Sequence, residues 1–356
     1  MSSLVRLAVS DCPDYPFVAF DAPVKLDQNE SPFDFPEDLK RLVVEKWFLL
    51  SWNRYPELMA ESVRRSLALY EQWIEAGTLI TTGSNVLIAL ITQMSGIGRH
   101  VVTVKPNFAL YSLDAKLLGC QLTEVPLGLN FELDLNGFMR VLEQYSEMGG
   151  VVYLPQPHAP TGHLMDKDGL EHLLKSYPNW VVVLDEAYHQ FAQENLISWL
   201  NVYPNLILLR TFSKAWGLAG LRLGYALGQS SLIQQLKKLV PPFPLSCPQS
   251  ITLQVALEHS DYVSERVSLI IAERERLFQA LQHHSSWTAY PSKANFLLIR
   301  TPDAKEAHEV LLKQGVLVRR QDSYFGLEGC IRVSVGTPEQ NDRFLTAALR
   351  IRAASV

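Results

Sequence analysis

The sequence has little with which to cross-link, anchor or tether itself. Its four cysteines, Cys12, Cys120, Cys247 and Cys330, are scattered with no C-x-x-C pair. That spacing argues against a disulfide framework or a zinc site and leaves them as expected reduced core residues. No stretch approaches the roughly 18 uninterrupted apolar residues of a membrane span, and residues 1–16 lack an apolar core of signal-peptide length, so the expected location is cytoplasmic. Neither sign of charge dominates. The 32 Lys and Arg against 37 Asp and Glu leave a net charge of −5, which offers no footing on nucleic acid or on a membrane surface. Internal repeats and low-complexity tracts are missing too. What remains is a 356-residue chain, 47% hydrophobic and 19% charged. It is long enough for one large domain plus a smaller one, with small molecules as the expected partners.

The middle of the chain alternates short apolar runs with amphipathic segments, the pattern of a largely parallel sheet covered by helices on both faces. Strands are expected at 78–81, 101–104, 121–125, 151–154, 181–184, 206–209 and 223–226, with helices between them at 86–95, 111–118, 167–175 and 232–239. Pro241, Pro242 and Pro244 must break a helix and mark the expected domain junction. Beyond it the pattern predicts one long helix over 249–283, a strand at 295–299, a helix at 304–314, strands at 316–318 and 331–335, and a closing helix over 338–351. The division expected is 46–245 as the large domain, with 1–45 and 246–356 forming an arm and a small α+β domain. In the arm, Pro32 and Pro36 punctuate an extended stretch before a helix over 37–50.

Three segments carry chemistry. The first is Thr211-Phe212-Ser213-Lys214-Ala215-Trp216-Gly217, running on to Arg222 and Gly224, directly after an apolar strand. A lone Ser-Lys dipeptide is usually a surface loop. A lysine among small residues at a strand end, however, can be desolvated, which lowers its pKa and suits it to Schiff-base chemistry. Ser213 and Arg222 could bind a phosphate beside it. The second segment is Val181 to Tyr188, a buried-type strand that delivers Asp185 and then Tyr188 at its carboxyl end, where open α/β sheets bind ligands. A carboxylate there can keep a pyridine nitrogen protonated, making the ring an electron sink, and the phenol can reach a ring hydroxyl. The third is Thr82-Gly83-Ser84-Asn85 at a helix N-terminus, whose amides and dipole favour a phosphate. Phe108, after Pro106 and Asn107, presents a ring for stacking.

Together these segments resemble the fold-type I pyridoxal-phosphate (PLP) aminotransferases, and within them the histidinol-phosphate aminotransferase family. The agreement runs in order from about Lys25 to Gln340. It takes in Leu26-Asp27-Gln28-Asn29-Glu30-Ser31-Pro32, Arg54-Tyr55-Pro56, the Gly83 loop, Asp185-Glu186-Ala187-Tyr188, the Lys214 segment, Ser292 to Phe296, Gly315 to Arg319, and Ile331 to Gly336. The resemblance implies an α/β fold with a mostly parallel seven-stranded sheet and a smaller α+β domain. It implies that Lys214 holds the cofactor covalently and later shuttles a proton, that Asp185 pairs with the ring nitrogen, and that Tyr188 meets the ring hydroxyl. Phe108 would stack on the ring, and Gly83, Ser84, Asn85, Thr211, Ser213 and Arg222 would surround the phosphate. Tyr55 would reach in from the second subunit of a homodimer. Arg332 would grip the substrate's anionic group, with Arg319, Asn295 and Asn29 nearby. An amino donor and an oxo acceptor would be the small-molecule partners.

One departure matters. Where the family usually has Asn-Pro-Asn-Asn-Pro-Thr-Gly, this chain has Gln156-Pro157-His158-Ala159-Pro160-Thr161-Gly162. Ala159 offers no hydrogen bond to the ring hydroxyl, so Tyr188 acts alone, or Gln156, His158 or a water substitutes, and the Lys214–cofactor linkage is expected to titrate at higher pH. Rival activities on the same scaffold are an aminotransferase for aromatic or other amino acids and a decarboxylase acting on threonine phosphate. A DNA-binding regulator lacks a basic helix-turn-helix segment. A metal hydrolase built on His158, His163 and His189 lacks ligand spacing.

Overall fold

The computed structural model describes residues 4–15 and 19–351. Twelve strands occur in it: β1 (Val24–Leu26), β2 (Thr78–Thr81), β3 (His100–Lys105), β4 (Gln121–Pro126), β5 (Gly150–Pro155), β6 (Trp180–Asp185), β7 (Leu206–Thr211), β8 (Gly224–Gly228), β9 (Thr288–Ala289), β10 (Phe296–Arg300), β11 (Val316–Arg320) and β12 (Cys330–Ser334). Seven form one sheet in the order β2-β8-β7-β6-β5-β3-β4, and five form a second in the order β1-β11-β12-β10-β9. The runs of β5, β6 and β7 are buried almost without interruption, as befits parallel strands covered on both faces.

In the larger sheet β7, β6, β5, β3 and β4 run parallel, while β8 is antiparallel to both β7 and β2. Two reversals restore the direction, so β2 ends at the same edge as β7. The register places Thr81, Thr211 and Gly224 side by side across β2, β7 and β8. The segments that follow β2 and β7 and the one that precedes β8 therefore meet at one edge. Gly224 is required there, since a Cβ on it would lie 2.1 Å from the Ser84 amide nitrogen.

In the smaller sheet β1 pairs parallel with β11, Val24 opposite Val316, and the other pairings are antiparallel. This pairing carries the arm, Asp27 to Asn29, to the carboxyl edge of the larger sheet. The long helix expected over 249–283 is two helices, Cys247–Glu258 and Asp261–Leu281. A straight helix of that length would extend about 50 Å, too far to follow both layers. The first half instead packs on helices Glu37–Phe48 and Glu61–Tyr70 and the second on the smaller sheet. Helix Glu61–Tyr70 and helix Leu135–Gln144, the latter capped by Asp134 accepting from the Gly137 N–H, were not foreseen. Among the cysteines only Cys330 is buried, so the expectation of four core residues is corrected to one. No helix among the described residues is long and apolar enough to cross a membrane.

Candidate active site

Between the carboxyl edge of the larger sheet and the arm lies a cavity of about 350 Å³. Asn29, Ser84, Asn85, Phe108, Asp185, Tyr188, Thr211, Ser213, Lys214, Arg222, Arg319 and Arg332 all line it. Gly83 stands just behind, Asn295 is buried beneath the arm, and Tyr55 lies on the exterior, 82% exposed, with its ring stacked on Phe243.

At one end is a cradle for an anion. Helix Ser84–Ser95 begins at Gly83, whose φ of +97° suits glycine, and no side chain caps this turn. Its first amides and the positive end of its dipole thus face the cavity. Arg222 supplies the cation, reaching the Ser213 hydroxyl at 3.5 Å and the Ala219 carbonyl at 3.3 Å. A Cβ at Gly83 would lie 2.9 Å from its guanidinium. Thr211 Oγ1 donates to the Leu223 carbonyl and accepts from the Ser213 N–H, which fixes the turn that follows β7.

In the middle stand Asp185 and Lys214. Asp185 is met by neutral donors: the Tyr111 hydroxyl on Oδ2 at 2.7 Å and the Ala187 N–H on Oδ1 at 3.1 Å. Burial pushes its carboxyl up to about 6, and the Tyr111 hydrogen bond opposes that shift. Lys214 Nζ donates to the Gln28 carbonyl at 2.9 Å and lies 5.9 Å from the centre of the Tyr188 ring. Burial, reinforced by the charge of Arg332, lowers its ammonium to about 7. A fraction of this amine is therefore neutral and nucleophilic near neutral pH. Sequence reasoning missed Tyr111. It is fully buried, stacks on Tyr153 at 5.0 Å and meets Phe108 edge-on. Its position three residues after Phe108 on a helix was the available signal.

The far end is cationic. Antiparallel register sets Arg319 directly opposite Arg332 on β11 and β12, which brings two like charges together at this end of the cavity. Burial and the Arg319 charge both depress the Arg332 pKa, and one of its donors, Nε, is buried without a partner. Arg332 Nη2 donates to the Asp27 carbonyl at 3.0 Å. Tyr15 and Tyr324, also missed from sequence, line the same end. The Tyr15 hydroxyl feels both guanidiniums, although burial raises its pKa overall.

The loop bearing Ala159 narrows the choice of substitute. Gln156 is closed on Met165, donating to its carbonyl and accepting its N–H. His158 Nδ1 is engaged with the Thr161 hydroxyl at 2.7 Å, and burial drives its pKa well down. Ala159 lines the cavity while Gln156 and His158 do not, so neither substitutes for the missing asparagine. Tyr188 instead accepts a hydrogen bond from Asn29 Nδ2 at 3.0 Å, and Asn295 Nδ2 donates to the Asn29 carbonyl.

These features fit pyridoxal phosphate. An uncapped helix start beside an arginine suits its phosphate, a buried acid hydrogen-bonded only to neutral donors suits its pyridinium, and a desolvated lysine lies between them. Residues 22–347 match the family model described as aminotransferase class I and II. The histidinol-phosphate aminotransferase of Deinococcus radiodurans is 44% identical over 350 residues, which cover 98% of this chain and 96% of that protein. That of Pyrococcus furiosus is 36% identical over 325 residues, 90% of each. The crystal structure of histidinol-phosphate aminotransferase from Sinorhizobium meliloti in complex with pyridoxal-5'-phosphate matches with a TM-score of 0.84 at 25% identity, covering 93% of this chain and 91% of that one. This chain therefore belongs to the class I and II aminotransferases, enzymes that work with pyridoxal phosphate, and within them to the family of the histidinol-phosphate aminotransferases.

Proposed function

We propose that the protein transfers the amino group of histidinol phosphate to 2-oxoglutarate, giving imidazole-acetol phosphate and glutamate. The observation that carries this reading is the spacing of unlike groups along one cavity: a phosphate cradle, a buried acid, a desolvated lysine and a facing pair of arginines. Bound pyridoxal phosphate supplies an aldehyde conjugated to a protonated ring, which takes up the electron pair left on the substrate carbon. Asp185 keeps the ring nitrogen protonated, and Tyr111 keeps Asp185 oriented and ionised. Lys214 holds the cofactor. Once freed by substrate, its amine would carry the proton from the substrate carbon that bears the nitrogen to the cofactor's former aldehyde carbon. Arg332 and Arg319 orient the substrate's anion, and Tyr15 and Tyr324 add hydroxyl donors beside them. Four such groups suit a phosphate, and the planar guanidiniums equally accept the carboxylate of the second substrate.

The reading extends to assembly. Phe48, Leu49, Leu50, Trp52, Tyr55 and Phe243 are exposed, large apolar side chains of the kind that mark a contact surface when they cluster. A second copy covers this face in our reading, and Tyr55 completes the phosphate cradle of its partner. The chain divides into domains at Pro241–Pro244, and the enzyme works in the cytoplasm.

The test is spectroscopic. Purified protein reconstituted with pyridoxal phosphate should show the visible band of a lysine-bound cofactor, histidinol phosphate should discharge it without an acceptor, and 2-oxoglutarate should restore it in the resulting enzyme. Discharge by an aromatic amino acid but not by histidinol phosphate would replace the proposed donor. Carbon dioxide release from threonine phosphate with no acceptor required would replace the reaction. Sedimentation should give twice the chain mass, and Tyr55→Ala should weaken cofactor retention.

A further inference from the structure

Ala159 leaves one side of the cofactor ring without its customary donor. Pyridoxal phosphate carries its aldehyde opposite the ring nitrogen, with the hydroxyl and the phosphate arm flanking the aldehyde on either side. Once the nitrogen is assigned to Asp185, the aldehyde to Lys214 and the phosphate to Ser84, Ser213 and Arg222, the hydroxyl must face away from the cradle. Strand order identifies what stands there. The cradle belongs to β2, β8 and β7, Asp185 ends β6, and the next strand is β5, whose loop presents Ala159. A methyl group donates nothing, Gln156 is closed on Met165, and His158 does not line the cavity.

Tyr188 is the hydroxyl on that side, and it is held in a particular sense. Its oxygen accepts from Asn29 Nδ2 at 3.0 Å. Asn29 Oδ1 accepts from Ser334 Oγ at 3.1 Å, and Ser334 Oγ accepts in turn from the Asn29 backbone N–H at 2.8 Å. Both Asn29 and Ser334 are buried, and the two bonds made by the Asn29 amide fix which way it faces. A phenol carries a single proton. With a lone pair of Tyr188 occupied by the Asn29 amide, that proton is left to point into the cavity.

We infer that Ser334 and Asn29 form a positioning relay that commits Tyr188 to donate to the cofactor's ring oxygen, doing in this chain what the missing asparagine at 159 does elsewhere. The inference rests on the proposed binding of pyridoxal phosphate at Lys214, and it makes Asn29 a positioning residue rather than a substrate ligand. Its consequence is electronic. A donor on the ring oxygen draws charge from it and weakens its hold on the proton shared with the Lys214 nitrogen, so the relay lowers the pH at which the linkage titrates.

The experiment follows the visible absorbance of reconstituted holoenzyme against pH. Tyr188→Phe should raise the midpoint by about one pH unit; Asn29→Ala should raise it by a good part of that, and Ser334→Ala by less. In the Tyr188→Phe background, Asn29→Ala should add nothing, because its effect passes through the lost hydroxyl. Ala159→Asn should lower the parent's midpoint and shrink the effect of Asn29→Ala. An unmoved midpoint in Asn29→Ala, or an equal shift with and without the Tyr188 hydroxyl, overturns the relay. Should Asn29→Ala fail to fold, Asn29→Asp keeps the shape and removes the donor, and an unmoved midpoint there overturns it as well. A parent that forms no visible band would sink the cofactor reading itself, and the relay with it.

Discussion

Asp185 and Glu186 are consecutive carboxylates at the end of β6, both buried, and their surroundings could hardly differ more. Glu186 Oε2 takes Nε and Nη2 of Arg210, each at 2.7 Å. Arg210 Nη1 meets Glu71 at 2.5 Å, its Nη2 also reaches Asn195, and the Tyr225 hydroxyl donates to the other oxygen of Glu71. Arg210 is 1% exposed and Glu186 1%, so two acids and one permanent cation form a closed, hydrogen-bonded network. Asp185 receives only a phenol and an amide, and its proton affinity rises accordingly. Burying charge is costly in both cases. Where the protein completes the pairing the result is a fixed joint between β6, β7 and helix Glu61–Tyr70. Where it stops short the result is a site with appetite for a cation.

That contrast can be broken in four places. The largest effect is expected from Lys214→Ala, which removes the amine facing Asp185. Amino transfer should fall about 10⁴-fold or more with the visible band lost, and kinetics close to the parent's would dissolve the contrast altogether. Second is Arg210→Met, which strands Glu71 and Glu186 without a cation. A loss of about 3–5 kcal/mol of stability should appear in urea unfolding, and a loss under about 1 kcal/mol would mean that the network is not the joint described.

Third is Asp185→Asn in the cofactor-free protein. The folded pKa of about 6 lies above the ordinary 3.8, so the folded state holds the proton more tightly and the parent loses stability as pH rises from about 4 to 6. Above that window asparagine should be the more stable residue by on the order of 3 kcal/mol, while below pH 4 the difference should close. Thermal unfolding at the two ends of the window checks the sign, and the same variant should fail in catalysis. The smallest effect is expected from Gly83→Ala. The strained φ and the approach to Arg222 should cost about 1 kcal/mol and speed cofactor release several-fold, as measured by dialysis and residual absorbance.

What was legible in the sequence follows a physical division. The seven strands of the larger sheet and the residues at their ends could be read because each is local: an apolar run of β length followed within a few positions by Asp185, Lys214 or the Gly83 turn. Residues set by register or by distant packing could not. Tyr111 looked like the apolar face of a helix, and its hydroxyl became functional only when β3 and β6 were placed in one sheet. Arg210 stood just past the strand read at 206–209, and its partners, 139 and 24 positions away, gave it no local sign. The helix over 249–283 showed unbroken periodicity, yet its two parts pack on different partners. Asn29, grouped with the substrate residues by resemblance, has its amide directed at Tyr188, an orientation no spacing encodes.

Three consecutive carbonyls of the arm, those of Asp27, Gln28 and Asn29, receive Arg332, Lys214 and Asn295, while β1 just before them docks beside β11. During synthesis, residues made first must therefore wait for a strand made almost three hundred residues later. Until then the reactive amine has no resting place and the arginine pair no frame. A ribosome-bound chain of this protein should be unable to retain its cofactor, and competence should arrive abruptly once β11 and β12 have emerged.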